Sequence, residues 1–319
     1  MDKEESVPSN EMGWERKTLE KLAFSMLEEQ RLARRWKMFW RFVWLAVAGV
    51  VIWMGVAKTP SASAPTTPHT AMIEIKGEIG AGVDASALNI LDSLRSAFED
   101  EGAQAVVLVI DSPGGSPVQA GMVNDEIMRL KELHKKPVYA VVEDTCASAA
   151  YYIASAADEI YVDKASIVGS IGVLMDGFGF TGLMDKLGVE RRLLTAGANK
   201  GFLDPFSPQT DAQRAYALGM LNQIHQQFIT VVREGRGDRL KETPDMFSGL
   251  FWSGQQAVDM GLADGLGSID SVARDLIKAE EIVDYTRREN VAERLVKRFG
   301  AALGEGAVRA ALRTGLTLR

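Results

Sequence analysis

Ser148 is the side chain in this sequence best placed to attack something. The apolar run Pro137 to Val142 precedes it and predicts a buried strand. The small and aromatic residues from Ala149 to Ala157 follow it and predict a tightly packed helix. The serine therefore falls at or just inside a helix start, where unpaired N–H groups and the positive dipole end can stabilise an oxyanion. An ordinary N-terminal serine on a packed helix has the same signature. Asp111-Ser-Pro-Gly-Gly-Ser116 is a second stretch of interest. Gly114 and Gly115 can offer backbone N–H groups where a side chain would obstruct, and Ser116 with Pro117 predicts a capped helix start. A plain tight turn would look alike. Lys200 is the third, in the loop Thr195 to Pro208, flanked by glycine and apolar residues. It could serve as a base only if burial lowered its pKa by several units; a solvated surface lysine is the ordinary alternative. Ser170, in the glycine-punctuated run Ala165 to Val173, reads as a turn residue.

The elements that must position these residues alternate in type. Strands are predicted over Met72–Lys76, Ala105–Ile110, Val138–Val142 and Glu159–Val162, and helices over Ala85–Glu101, Val118–Leu133 and Ala149–Ala157. Leu88, Leu91, Leu94 and Phe98 are expected on one face of the first helix. Ala105–Ile110 is continuously apolar, as in a strand covered on both faces. The pattern predicts an α/β layout with mostly parallel strands, in which ligands bind at the carboxyl ends of strands. The Gly-Gly turn occupies one such end and Ser148 follows another. A long helix is expected from Pro208 to Arg233, and a helix–turn–strand return from Leu250 to Gly267.

The totals narrow the chemistry. A net charge of -7 argues against nucleic acid as the main partner. The single cysteine, Cys146, excludes an intramolecular disulfide and is expected to be buried beside the serine. The three histidines, His69, His134 and His225, offer no obvious Ser-His-Asp arrangement and, with one cysteine, no ordinary zinc site. Neither a metal nor a cofactor is expected.

Ahead of the α/β pattern lies a different kind of segment. Phe42 to Ala57 carries no charge but spans only about 24 Å as a helix, short of a ~30 Å hydrocarbon core. Extending it to residues 36–58 closes the gap if Lys37 and Arg41 snorkel. Arg31, Arg34, Arg35, Lys37 and Arg41 lie on one side, so the positive-inside rule puts the N-terminus in the cytoplasm. The organisation expected is a cytoplasmic segment 1–35, a transmembrane signal-anchor helix 36–58, a Pro/Ser/Thr linker 59–71, a catalytic domain 72–280 across the membrane, and an amphipathic helical segment 281–319.

Four elements in this order resemble the serine peptidases of the signal peptide peptidase A family in their short, single-core form. They are Asp111–Ser116, Ala147-Ser-Ala-Ala-Tyr-Tyr152 with its Ser155-Ala-Ala-Asp158 tail, Val168-Gly-Ser-Ile-Gly-Val173, and Lys200 in its loop. The resemblance runs from about Met72 to Asp270 and implies a Clp/crotonase-like fold with flanking helices behind one N-terminal transmembrane helix. It implies Ser148 as nucleophile, Lys200 as general base and Ser170 as the hydroxyl that holds the lysine amine. The oxyanion hole would come from the N–H of Ala149 and one from the Gly114–Gly115 pair. It also implies apolar peptide substrates, such as signal-peptide remnants or membrane-protein segments, and a single-pass protein of the inner membrane with its catalytic body periplasmic or extracellular. Its short members form ring- or dome-shaped homo-oligomers in which serine and lysine come from neighbouring protomers. Where the family usually has Ser-Gly-Gly-Tyr-Tyr, this chain has Ser148-Ala-Ala-Tyr-Tyr152, and the methyl of Ala149 would obstruct the turn if it needed positive φ. A crotonase-type acyl-CoA enzyme and a catalytically silent membrane-protein scaffold are the competing readings.

Overall fold

The structure is a computed structural model, and it describes residues 34–50 and 67–288. Residues 34–50 are helical (α1) and expose most of their side chains, Trp36, Trp40 and Trp44 among them. The last third of the expected membrane span, residues 51–58, lies outside the described residues, as do 1–33, most of the linker and 289–319. Among the described residues no helix is long and apolar enough to cross a membrane.

The body, described over residues 67–288, is built on one sheet. Its strands are β1 (His69–Lys76), β2 (Ala103–Ser112), β3 (Val138–Ala147), β4 (Glu159–Val162), β5 (Ile167–Gly169), β6 (Phe251–Ser253), β7 (Gly265–Leu266) and β8 (Ile282–Asp284). The order is β6-β5-β3-β2-β1-β8, with β4 on β3 and β7 on β4. Every pairing is parallel except β5 with β6. This is the mostly parallel α/β architecture that the alternation of elements predicts.

The apolar run in β2 is buried from Ala105 to Ile110 because both faces are covered. Val106, Leu108 and Ile110 enter the main core with Ile73 and Ile75, while Val107 and Val109 pack with Val141 and Val272 on the other face. That two-sidedness is the period-two geometry of a central strand. The helix α2 (Ala87–Glu99) buries Ile90, Leu94, Ala97 and Phe98 and leaves Leu88 exposed, contrary to the stripe expected from the sequence. Leu88 and Leu94 are six residues apart, about 240° around the helix axis, so they cannot share a face.

Three boundaries depart most from the sequence reading. β1 starts at His69, inside the expected linker, with the ring fully buried between the carbonyl of Thr67 and the hydroxyl of Tyr285. β8 lies beyond residue 280 and pairs with β1 from Thr70↔Ile282 to Met72↔Asp284, so the sheet recruits residues expected in a separate C-terminal helical segment. The long helix α6 covers Asp211–Arg236 rather than starting at Pro208. Thr210 and Gln213 form a reciprocal capping box that fixes its first turn, which outweighs the Ser207–Pro208 start signal.

One feature of the sheet decides the site. β3 is long enough to hold two partners on the same edge: residues 139–141 pair with β4 and residues 145–147 pair with β5. The carboxyl end of β3, where Ser148 follows, is thereby pinned between β2 and β5.

Candidate active site

Ser148 sits on a sharp strand-to-helix turn at φ 53°, ψ −122°, between β3 and the helix α4 (Ala149–Ala154). A non-glycine residue at positive φ costs on the order of 1–3 kcal/mol and persists only where its surroundings over-determine it. Here they do. The Ser148 N–H donates to the carbonyl of Gly169 at 2.8 Å, and the Ser148 carbonyl accepts from Tyr152 N–H at 3.0 Å. Behind it, Tyr151 is fully buried and its hydroxyl donates to the carbonyl of Leu262 at 2.7 Å. Cys146 is buried two residues before the serine, as expected, and burial pushes its thiol pKa up, so it stays a neutral packing group.

The Gly-Gly turn lies directly against the serine. Gly114 has φ 104°, and a Cβ placed on it would stand 2.7 Å from both Ser148 Cβ and the Ala147 carbonyl oxygen. Gly115 has φ 147°, and its Cβ would stand 2.1 Å from the Ile79 carbonyl oxygen. A parallel bridge to Ile79 engages the groups on either side of Gly115: Ile79 N–H donates to the Gly114 carbonyl and Ser116 N–H to the Ile79 carbonyl, each at 2.8 Å. In that pattern the N–H of Gly115 itself points away from Ile79. The N–H of Gly114 donates to Ser112 Oγ at 3.2 Å. Of the pair, Gly115 is therefore the one with a donor to offer. Ala149 opens α4, where a first-turn N–H has no intrahelical acceptor. Ala149 is helical and absent from the positive-φ residues, so the left-handed backbone falls on Ser148 and the alanine methyl costs nothing at the turn.

Ser148, Ala149, Gly115 and Ser170 line one cleft of about 730 Å³. Ser170 follows β5 at φ 50°, and its N–H donates to the Leu250 carbonyl at 2.8 Å. Gly169, at φ 109°, packs so closely on Trp252 that a Cβ would stand 3.0 Å from the indole ring. The far wall is α6, which contributes Leu221, Ile224, His225 and Phe228, with the Tyr152 ring tilted at 40° against Phe228 at 5.1 Å between ring centres. The cleft thus combines backbone donors and the hydroxyls of Ser148 and Ser170 with an apolar wall. The sequence reading gave α6 no part in the site; the apolar spacing at 221, 224 and 228 was a detectable signal, but it is also that of an ordinary packed helix.

Lys200 lies elsewhere. It is exposed, on the turn that follows Gly197, and is not among the residues lining the Ser148 cleft. It belongs to a stretch, residues 172–216, in which no residue is buried. That stretch includes the short helix α5 (Thr181–Leu187) and is held together by its own contacts. Phe180 stacks on Phe206, Arg191 lies over the Phe206 ring and pairs with Asp204, and Phe180 N–H donates to the Pro205 carbonyl at 2.7 Å. Leu174, Phe178 and Leu194 are 80%, 79% and 95% exposed on it.

Residues 131–283 match Peptidase family S49. A putative protease of Methanocaldococcus jannaschii, MJ0651, is 35% identical over 208 residues, which cover 64% of this chain and 65% of that protein. A putative signal peptide peptidase SppA of Enterococcus faecium is 29% identical over 198 residues, covering 62% of this chain and 57% of that one. A Brucella abortus protein named as the Na(+)/H(+) antiporter NhaA is 50% identical over 183 residues, 57% of this chain but only 25% of that protein. The chain thus spans less than two thirds of the length of each of these relatives.

Proposed function

Because this chain belongs to peptidase family S49, the signal peptide peptidase A family, we propose that it is a membrane-anchored serine endopeptidase of Clp/crotonase-like fold whose site is completed by a second copy. The observation that carries the reading is the strained Ser148 at the start of α4, in one cleft with Gly115, Ala149 and Ser170. In the proposed reaction Ser148 Oγ attacks the peptide carbonyl carbon while a neutral Lys200 amine, supplied by the neighbouring copy and held by Ser170, takes the hydroxyl proton. The carbonyl oxygen becomes an oxyanion between the N–H groups of Gly115 and Ala149. Collapse breaks the C–N bond, and the lysine returns the proton to the leaving amine. Water, deprotonated by the same lysine, then attacks the acyl carbon; the C–Oγ bond breaks, the acid leaves, and the lysine returns the proton to Ser148 Oγ.

Lys200 is exposed in the single chain; cover by another copy is what would desolvate the amine and favour its neutral form. The apolar side chains at Leu174, Phe178 and Leu194 support a second copy as the occupant, since exposed surface of this kind marks an interface. Tyr152, Leu221, Ile224 and Phe228 in the cleft support apolar peptides as substrates. The exposed tryptophans of α1 and the cations Arg34, Arg35, Lys37 and Arg41 support an anchor with the N-terminus cytoplasmic and the body periplasmic or extracellular.

The test uses the full chain and an apolar fluorogenic peptide. Ser148→Ala and Lys200→Ala should each be inactive alone, and mixing them after subunit exchange should restore activity in the assemblies that pair an intact serine with an intact lysine. Equal turnover by wild type and Lys200→Ala would overturn the dyad. Absence of complementation despite demonstrated exchange would overturn the shared site.

A further inference from the structure

The reading above leaves unexplained the one titratable side chain that α6 brings to the cleft. His225 is half-buried, lines the cleft with Ser148 and Ser170, and donates from Nε2 to the carbonyl of Ile171 at 3.0 Å. Ile171 is fully buried and directly follows Ser170. The segment Gly169–Ser170–Ile171 is thus held at three points. The Gly169 carbonyl accepts from Ser148, the Ser170 N–H donates to Leu250, and the Ile171 carbonyl accepts from His225. The first two are backbone to backbone and form whatever the side chains are. The third depends on a single side chain, and it falls next to a serine at φ 50°.

A serine in the left-handed region keeps that conformation only if its neighbours over-determine it. The backbone sets the Cα–Cβ direction of Ser170 and limits which rotamers its Oγ can adopt, so an anchor on the adjacent carbonyl restricts where the hydroxyl can point. We propose that His225 is a positioning residue that fixes Ser170 through the Ile171 carbonyl and takes no proton from Ser148. This rests on the assignment of Ser170 as the group that orients the catalytic amine. Nε2 is occupied by the carbonyl, and both the Nε2–H tautomer and the imidazolium can donate that bond. The anchoring therefore needs an N–H at that reach, not a basic nitrogen.

The prediction separates the two roles. In the full chain, His225→Leu should lower kcat by about 10–100-fold, the scale of a small misplacement of a catalytic group, with KM changed far less. His225→Gln, which can place an N–H near the same carbonyl but cannot act as a base, should recover most of the loss. In a Ser170→Ala background, His225→Leu should cost almost nothing further, because the group it positions is gone. Melting temperatures are measured for all variants, and the comparison of His225→Gln with the Ser170→Ala, His225→Gln pair stands in if the leucine variant fails to fold. The proposal falls if His225→Leu matches wild type, if the double variant loses the product of the single losses, or if a well-folded His225→Gln is as inactive as His225→Leu. An inactive wild-type chain, by contrast, would overturn the peptidase reading itself and this proposal with it.

Discussion

Adding one methyl group at Gly115 tests the proposed oxyanion hole without touching a side chain of the dyad. In Gly115→Ala the new Cβ would lie 2.1 Å from the Ile79 carbonyl oxygen and 2.9 Å from the Ile79 carbonyl carbon and nitrogen. These are backbone atoms within a bridge closed by two 2.8 Å hydrogen bonds, so they cannot rotate aside as a side-chain tip would. Restoring ordinary contact of about 3.5 Å requires Gly115 and Ile79 to part by about 1.4 Å. The φ of 147° adds strain for any residue with a Cβ. A donor displaced by that distance no longer meets the oxyanion, and the loss of one such donor costs about 10²–10³ in rate, or roughly 3–4 kcal/mol of barrier. The assay is kcat/KM on an apolar peptide, with Gly121→Ala as the matched control. Gly121 lies in the helix α3 (Pro117–His134) with open space where its Cβ would be, so the same substitution there should leave activity unchanged and raise stability by up to about 1 kcal/mol. A folded Gly115→Ala protein with kcat/KM within about threefold of wild type would refute the argument, since loss of an oxyanion donor would cost far more.

Other outcomes follow from the same geometry. Ala149→Gly should leave kcat/KM nearly unchanged and lower stability by no more than about 1 kcal/mol, because α4 needs no positive φ at that position; a large gain in rate would show that the methyl does obstruct the site. Tyr151→Phe should destabilise by about 1–2 kcal/mol in chemical denaturation by leaving the Leu262 carbonyl without its donor. Asp264→Asn should cost about 3–5 kcal/mol, because the fully buried Arg236 would lose its two-pronged partner. Burial of the Asp264 carboxyl raises its pKa, but hydrogen bonds from Arg236 and Ile160 N–H and the charge of Arg239 outweigh that and hold it below the usual value. A depressed carboxylate stabilises the fold above its ordinary pKa and loses that contribution as pH falls through the lower folded value. Wild-type melting temperature should therefore fall more steeply below pH 4 than that of Asp264→Asn; parallel curves would contradict the assignment.

How much of this was legible beforehand depends on the range of the interactions involved. The strand β2 could be read because a continuous apolar run has one cheap solution, burial on both faces, and Ser116 with Pro117 could be read because a cap is settled within four residues. The pairing of His69 with Tyr285 could not, since nothing near either residue records a contact across 216 positions. The same holds for β8: three residues form a strand there because β1 offers them an open edge, and taken alone Ile282–Asp284 has too little pattern to announce one. At the site, Ser148 and the glycines were recognisable by type, but which residue carries the strained backbone was not. That follows from the pinning of β3 between β2 and β5, which fixes the Ser148 N–H on Gly169 and forces the turn to close within one residue. α6 entered the cleft unannounced for a related reason. Leu221, Ile224 and Phe228 look like any buried stripe, and only the fold turns that stripe toward the serine rather than into the core. Lys200 is the converse. Its sequence context of glycine and apolar residues allowed burial, yet the stretch around it exposes those residues in the single chain. The segment keeps an aromatic stack and an ion pair of its own while burying nothing, which is why the proposed second copy, and not the sequence around Lys200, would have to supply its cover.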